Sequence, residues 1–309
     1  MFSFFANIFG YLLNFIYHFV NNYGLAMILF TLVIKILMLP LSIKQQRMLK
    51  KSNKMQEKLK VLQFKYKNNP EKLNQEMMNL YKEEKMNPFG GCLSSIVQFI
   101  LLISIFYMVR SPLTYMKKMD TEVLNTYVQQ LKDDGKTISA AYPEIDLLRE
   151  STYLAENNPE DENAKNLALN MNFLGLDLSK IPQQNLSDWT VYIIPVLYIL
   201  SSFVSIKINS NMQSKAKGEK SDVIDVTENK KDKEKAEKES ESKDLVKVEN
   251  EEEEFDAMAQ TNKMMSWMVP IMSVSISLVA PLGLALYWLV NNITNILERL
   301  ILNKVIKDD

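Results

Sequence analysis

The chain has 309 residues, 47% of them hydrophobic and 24% charged, with a net charge of -1, averages that alone would describe a soluble protein. The charge is segregated, however: residues 1–34, 89–109 and 264–297 contain no Asp, Glu, Lys or Arg, and an apolar run of about 20 residues suffices to cross lipid as a helix. One cysteine, Cys92, and one histidine, His18, exclude an intramolecular disulfide and argue against a Cys-built zinc site or a Ser-His catalytic pair.

The predicted architecture is therefore all-α and polytopic, with five transmembrane helices, an interfacial N-terminal helix and a cytoplasmic helical hairpin. Residues 1–20 are rich in Phe, Leu and Ile, yet Ser3, Asn7, Asn14, His18 and Asn21 form one polar stripe. A narrow polar stripe opposite a wide apolar face suits a helix lying in the membrane interface, although its length would also allow a span. No Lys or Arg precedes Lys35, so the basic region that opens a secretory signal peptide is missing.

Residues 22–42 are the first predicted span, opening on Asn22-Tyr23-Gly24 and ending near Pro40. Residues 43–88 then carry 12 Lys or Arg against 5 Glu, which by the positive-inside rule makes this segment cytoplasmic and the N-terminus extracytoplasmic. Two narrow apolar seams, Met48/Met55/Leu59/Leu62/Tyr66 and Leu73/Met77/Leu80, predict an antiparallel hairpin. Asn69 is placed to cap its second helix, with Pro70 at the first helical position. Ribosomal RNA, anionic lipid or an acidic protein would all suit its charge.

Residues 89–110 form the second span. Residues 111–188 hold 13 acidic and 7 basic residues and no long apolar run, the composition of an extracytoplasmic segment. The third span is 189–207, with Trp189 at one interface and Lys207 at the other. Residues 208–262, a Lys/Glu mixture almost without aromatics, are expected to be a largely disordered cytoplasmic loop. Spans 263–280 and 281–299 are divided at Ala280-Pro281-Leu282-Gly283, and 300–309 form a cytoplasmic tail.

Lys35 is the candidate functional charge. It lies nine residues from Lys44, ~13 Å of helix, too deep for snorkelling to hide it, and an intramembrane cation implies function by default. The charge-free cores of the spans offer no Asp or Glu, and Glu298 falls where the chain returns to the cytoplasm. Lys35 is thus expected to lack a buried carboxylate and to sit in a hydrophilic cavity open to an incoming anion. Thr31, Gln98, Ser201, Ser205, Tyr287, Asn291 and Asn295 are polar residues that could line it. No GxxxxGK[ST] loop is present, so no nucleotide, and no other cofactor, is expected.

The segments NNYGLAMILFTLVIKILMLPL, QEMMNLYKEEKMNPFGGC and PLGLALYWLVNNITNILERLI resemble, in order, those of the YidC/Oxa/Alb family of membrane protein insertases, in its bacterial YidC branch. The resemblance implies a non-enzymatic insertase and chaperone of the bacterial plasma membrane. Its groove would open to cytoplasm and lipid, and a basic residue there would attract polar parts of a client during translocation. Lys35 matches that basic position, where the family usually has Arg, and the change keeps the charge while losing the planar fork. Thr31 and Trp288 match groove-lining positions, Gln98 a polar residue of the second span, and Ser205 replaces a frequent Gln. Implied partners are newly made membrane proteins and the bilayer, with the Sec translocon and the ribosome as further candidates. The rival reading is a small anion or solute transporter using Lys35 as its binding charge; an intramembrane protease ranks third because its catalytic pairs are missing.

Overall fold

The computed structural model describes residues 2–66, 69–84, 90–218 and 275–306. It is an all-α polytopic membrane protein, whose one sheet among the described residues is a two-residue-strand hairpin. Helix α1 spans Phe2–Val20 and is followed at once by α2, Tyr23–Lys65. Asn22 caps α2 by accepting from the Leu25 amide at 3.0 Å, a role open to a short polar side chain at a helix start.

Helix α2 does not stop at Pro40 but runs through it, so the first span and the first arm of the basic hairpin are one continuous helix. A proline removes one backbone hydrogen bond, a loss membrane helices accommodate through local adjustment and neighbouring groups. After the turn, Asn69 accepts from the Lys72 amide and Pro70 opens α3, Pro70–Glu83, as its sequence predicts. Lys58 and Glu84 form an ion pair between the arms, and Leu80 is buried beside Leu62.

Helix α4 covers Gly90–Arg110. Residues 111–188 form a folded cap of short helices: α5 Pro112–Tyr115, α6 Thr121–Asp133, α7 Pro143–Arg149, α8 Ser151–Asn157 and α9 Glu162–Lys165. Strands β1, Asn172–Phe173, and β2, Leu176–Asp177, follow as an antiparallel pair. Helix α6 buries Leu124, Tyr127 and Leu131, spaced for one helical face, against Ile145, Leu148, Leu154 and Leu167. Buried Glu144 fastens α7 to α5 by accepting from the Thr114 amide at 3.0 Å and its hydroxyl at 2.7 Å. Burial pushes the Glu144 carboxyl above its ordinary value.

Helix α10, Ile193–Gly218, follows a 3-10 turn at Trp189–Tyr192 and extends past Lys207 into the segment expected to be disordered. The continuation holds no Pro or Gly until Gly218, so nothing in it stops a helix already nucleated. The rest of the 208–262 expectation, and most of the predicted fourth span, lie outside the described residues. Of the latter, residues 275–279 are helical (α11). Helix α12 is Leu282–Val305, eight residues longer than the charge-free run implies.

The helices pack as α1 on α4 and α2, α12 on α10 and α2, and α4 on α2 and α12. The cap holds one end of this bundle through the backbone: the Tyr23 amide donates to the Asn170 carbonyl, and the Leu282 and Gly283 amides donate to those of Lys180 and Leu178, each at 2.9 Å. Both ends of α1 also meet the cap. Tyr17 hydroxyl accepts from the Asn170 amide at 2.8 Å, while near the other end Lys118 Nζ donates to Asn7 Oδ1 at 2.8 Å. Gly10 is needed between them, because a Cβ there would lie 1.9 Å from the Tyr115 carbonyl oxygen.

Phe2–Val20, Tyr23–Met48 and Trp189–Ile208 are each long and apolar enough to cross a membrane, and Ile96–Arg110 is a shorter apolar helix. Large apolar side chains are exposed along the bundle: Ile36 and Leu37 on α2, Phe99 on α4, Phe203 on α10 and Leu297 and Ile301 on α12. Apolar side chains on the outside of a helix bundle suit a lipid surround.

Candidate functional site

Lys35 is turned into the bundle, between α2 and α12. Its ammonium donates to Asn295 Oδ1 and lies 3.7 Å from Glu298 Oε2. The Lys35 side chain is 23% exposed and that of Glu298 14%. From Tyr23 at the capped end, Lys35 is twelve residues down α2, about 18 Å. Glu298 is sixteen residues from Leu282 on the antiparallel α12, about 24 Å.

The expectation that Lys35 has no buried carboxylate is therefore wrong. It fails because α12 continues through Arg299 to Val305, so the first charged turn after residue 297 still packs against α2. Asn295 and Glu298 stand three residues apart, on one helix face, and both meet Lys35.

The other predicted residues divide. Thr31, one turn before Lys35, is 2% exposed and donates to the Met27 carbonyl of its own helix at 2.7 Å, so its hydroxyl is already used. Tyr287 is buried in the core rather than lining an open face. Gln98 is exposed on α4 and donates to Gln45 Oε1 of α2 at 2.8 Å, a cross-helix amide pair separate from Lys35. Ser201 accepts from Asn292 Nδ2 at 2.9 Å, and Asn292 also reaches Ser202 at 3.3 Å. Trp288 lies against Tyr198, with ring centroids 6.2 Å apart. Asn291 and Ser205 are partly buried, and the Asn291 carbonyl accepts from the Thr294 hydroxyl.

Among the described residues, the predicted side chains thus enter three polar pairings between helices: Lys35 with Asn295 and Glu298, Gln98 with Gln45, and Ser201 with Asn292. Sequence reasoning missed Glu298, Gln45 and Asn292 as participants. The stripe Tyr287/Asn291/Asn295 was one position off for the α10 contact: Asn292 is the residue facing Ser201. Among the described residues no group of His, Cys, Asp and Glu is placed to hold a metal ion. The arrangement offers charge and hydrogen bonds within an apolar surround, where such interactions are less screened than in water.

A protein named membrane protein insertase YidC in Caldanaerobacter subterraneus subsp. tengcongensis is 49% identical to this chain over 102 residues, which are 33% of this chain and 50% of that protein. One of the same name in Francisella tularensis subsp. novicida is 43% identical over 107 residues, 35% of this chain and 19% of the relative. The chain thus covers half or less of the length of these curated relatives. The family model described as 60Kd inner membrane protein matches residues 15–309. With that match over nearly the whole chain, and apolar helices long enough to span, the chain belongs to the 60Kd inner membrane protein family and is a protein of the bacterial inner membrane.

Proposed function

We propose that this chain is a membrane protein insertase and chaperone, in which polar parts of a client pass the Lys35 site while its apolar helix moves sideways into lipid. The observation that carries the reading is the inward-facing, part-buried Lys35–Asn295–Glu298 cluster, about 18 Å from the capped end in a bundle that exposes large apolar side chains. The relatives' printed name agrees with it.

In this reading the capped end is extracytoplasmic and closed by residues 111–188, and the opposite end opens toward the basic hairpin. Both N- and C-terminal parts of α1 touch the cap, which supports a helix lying across that end in the interface rather than crossing the bilayer. Five spans then place the N-terminus outside and the C-terminus inside. The site residues are Lys35, Asn295 and Glu298, with Ser201, Ser205, Trp288 and Asn291 at its margins, Thr31 and Tyr287 supporting it, and Gln98 paired apart from it with Gln45.

The driving force is burial of client apolar surface, worth about 25 cal/mol per Å². The protein need only lower the barrier to moving a few polar groups. Newly made membrane proteins and the bilayer are the partners, with the Sec translocon and the ribosome as candidates for assistance.

The test is insertion of a single-span client with a short acidic tail into liposomes holding the purified protein. Wild type and Lys35→Arg are expected to insert it and Lys35→Ala to be impaired. Equal insertion by all three would remove Lys35 from the mechanism, and none above empty liposomes would overturn the insertase reading.

A further inference from the structure

Glu298 has an arrangement that holding Lys35 in place does not account for. Its Oε2 is 3.7 Å from the ammonium, longer than the ~2.7–2.9 Å of a charge-assisted hydrogen bond. The Lys35 ammonium is instead hydrogen-bonded to Asn295. Glu298 Oε1 is buried and has no hydrogen-bond partner among the described residues. A carboxylate offers about four acceptor positions, and a buried unsatisfied polar atom in a folded protein calls for an explanation.

We propose that Glu298 is a second client-binding group, which takes a cationic client side chain through Oε1 as Lys35 takes an anionic one. The site would then be zwitterionic rather than purely basic. The proposal rests on the insertase reading and specifies which client charges it admits.

The chemistry follows from the charges. A lone buried ammonium attracts a passing carboxylate but repels a passing lysine or arginine, and in a poorly screened interior that repulsion is strong. With Glu298 one helix turn from Asn295, either sign finds a partner. An incoming carboxylate replaces Glu298 beside Lys35. An incoming ammonium or guanidinium donates to the vacant Oε1, while Lys35 keeps Asn295. Arg299, the next residue, lies close enough to interact electrostatically with Glu298, so the cluster retains a net positive charge and still favours anions. Cations are admitted without becoming the preferred cargo.

The experiment uses the full chain in liposomes with one single-span client in three forms, whose translocated segment is neutral or carries a single Asp or a single Lys. Wild type is expected to insert all three. Glu298→Gln, which keeps the shape and removes the charge, should lower insertion of the Lys form about tenfold or more relative to the Asp form. An equal change in both forms, or no change in either, would overturn the proposal.

Lys35→Glu combined with Glu298→Lys keeps both charges and guards against a Glu298→Gln variant that fails to fold. Retention of the wild-type ratio of Lys-form to Asp-form insertion supports the zwitterionic site, and collapse of that ratio overturns it. Failure of wild type to insert even the neutral form would sink the insertase reading itself, an outcome distinct from either.

Discussion

The Lys35–Glu298 pair can be tested for its energetic worth independently of transport. At 3.7 Å, and with the effective dielectric of about 20 suited to protein sites, the gross attraction is ~4–5 kcal/mol. Much of it is offset by the cost of taking two charges out of water. Lys35→Met removes the cation and leaves Glu298 with one oxygen already unpartnered, compensated in part by Arg299. Breaking a buried pair from one side costs about 3–5 kcal/mol, and the remaining arginine together with partial exposure brings this variant below that range, to about 2–3 kcal/mol. Glu298→Met should cost less, because Asn295 still accepts from Lys35. The double variant, with two apolar side chains of similar length, should lie within about 1 kcal/mol of wild type. The cycle therefore predicts a coupling of about 2 kcal/mol, read from denaturant unfolding in detergent followed by tryptophan fluorescence. Additivity of the single effects within about 0.5 kcal/mol would refute a direct pair.

Two further outcomes follow from the cap. Gly10→Ala should gain up to about 1 kcal/mol of helix propensity yet lose stability overall, because the new methyl would overlap the Tyr115 carbonyl and overpacking costs ~1–3 kcal/mol or more. A lower midpoint of thermal unfolding in detergent is expected, and an unchanged or raised midpoint would mean that α1 is not seated on α5. Asp188 is held down to about 2 by Lys180 and by the Thr190 hydroxyl and amide. Its stabilising contribution is thus fully present above the ordinary aspartate value near ~4 and is lost as pH falls through about 2. Asp188→Asn should weaken protection of amides 189–192 in hydrogen exchange at neutral pH and remove the acid step contributed by that residue. Retention of the step would assign it elsewhere.

The features legible in the sequence are those carried by local chemistry. The Asn69-Pro70 helix start and the placement of Lys35 on an otherwise apolar helix each depend on a few adjacent residues. Helix ends were harder to read, because the absence of charge marks what lipid tolerates, not where a backbone stops being helical. That difference hid Glu298, which sits just past the charge-free run yet on the same helix face as Asn295. Pro40 misled in the same way, since a proline signals a lost hydrogen bond and the surrounding helix absorbed it. The cap was opaque for another reason. Its helices are short, and part of its hold on the bundle runs through main-chain carbonyls such as those of Leu178 and Lys180, a contact that any side chain at those positions would leave open. Pairings such as Gln98–Gln45 and Asn292–Ser201 depend on which helices become neighbours.

The distance along the chain between the partners of Lys35 has a consequence for how the protein itself is made. Asn295 is 260 residues downstream, and at a synthesis rate of about 5–20 residues per second it emerges roughly 13–50 s after the lysine does. The Tyr23 amide likewise waits for Asn170. Throughout that interval the first long helix carries a cation with neither its amide nor its carboxylate partner, a burden of ~2.5–3.5 kcal/mol if it is placed centrally in lipid. A newborn copy therefore presents the bilayer with the same difficulty that the finished one is proposed to relieve in others: a helix that is greasy along its length and charged at one point.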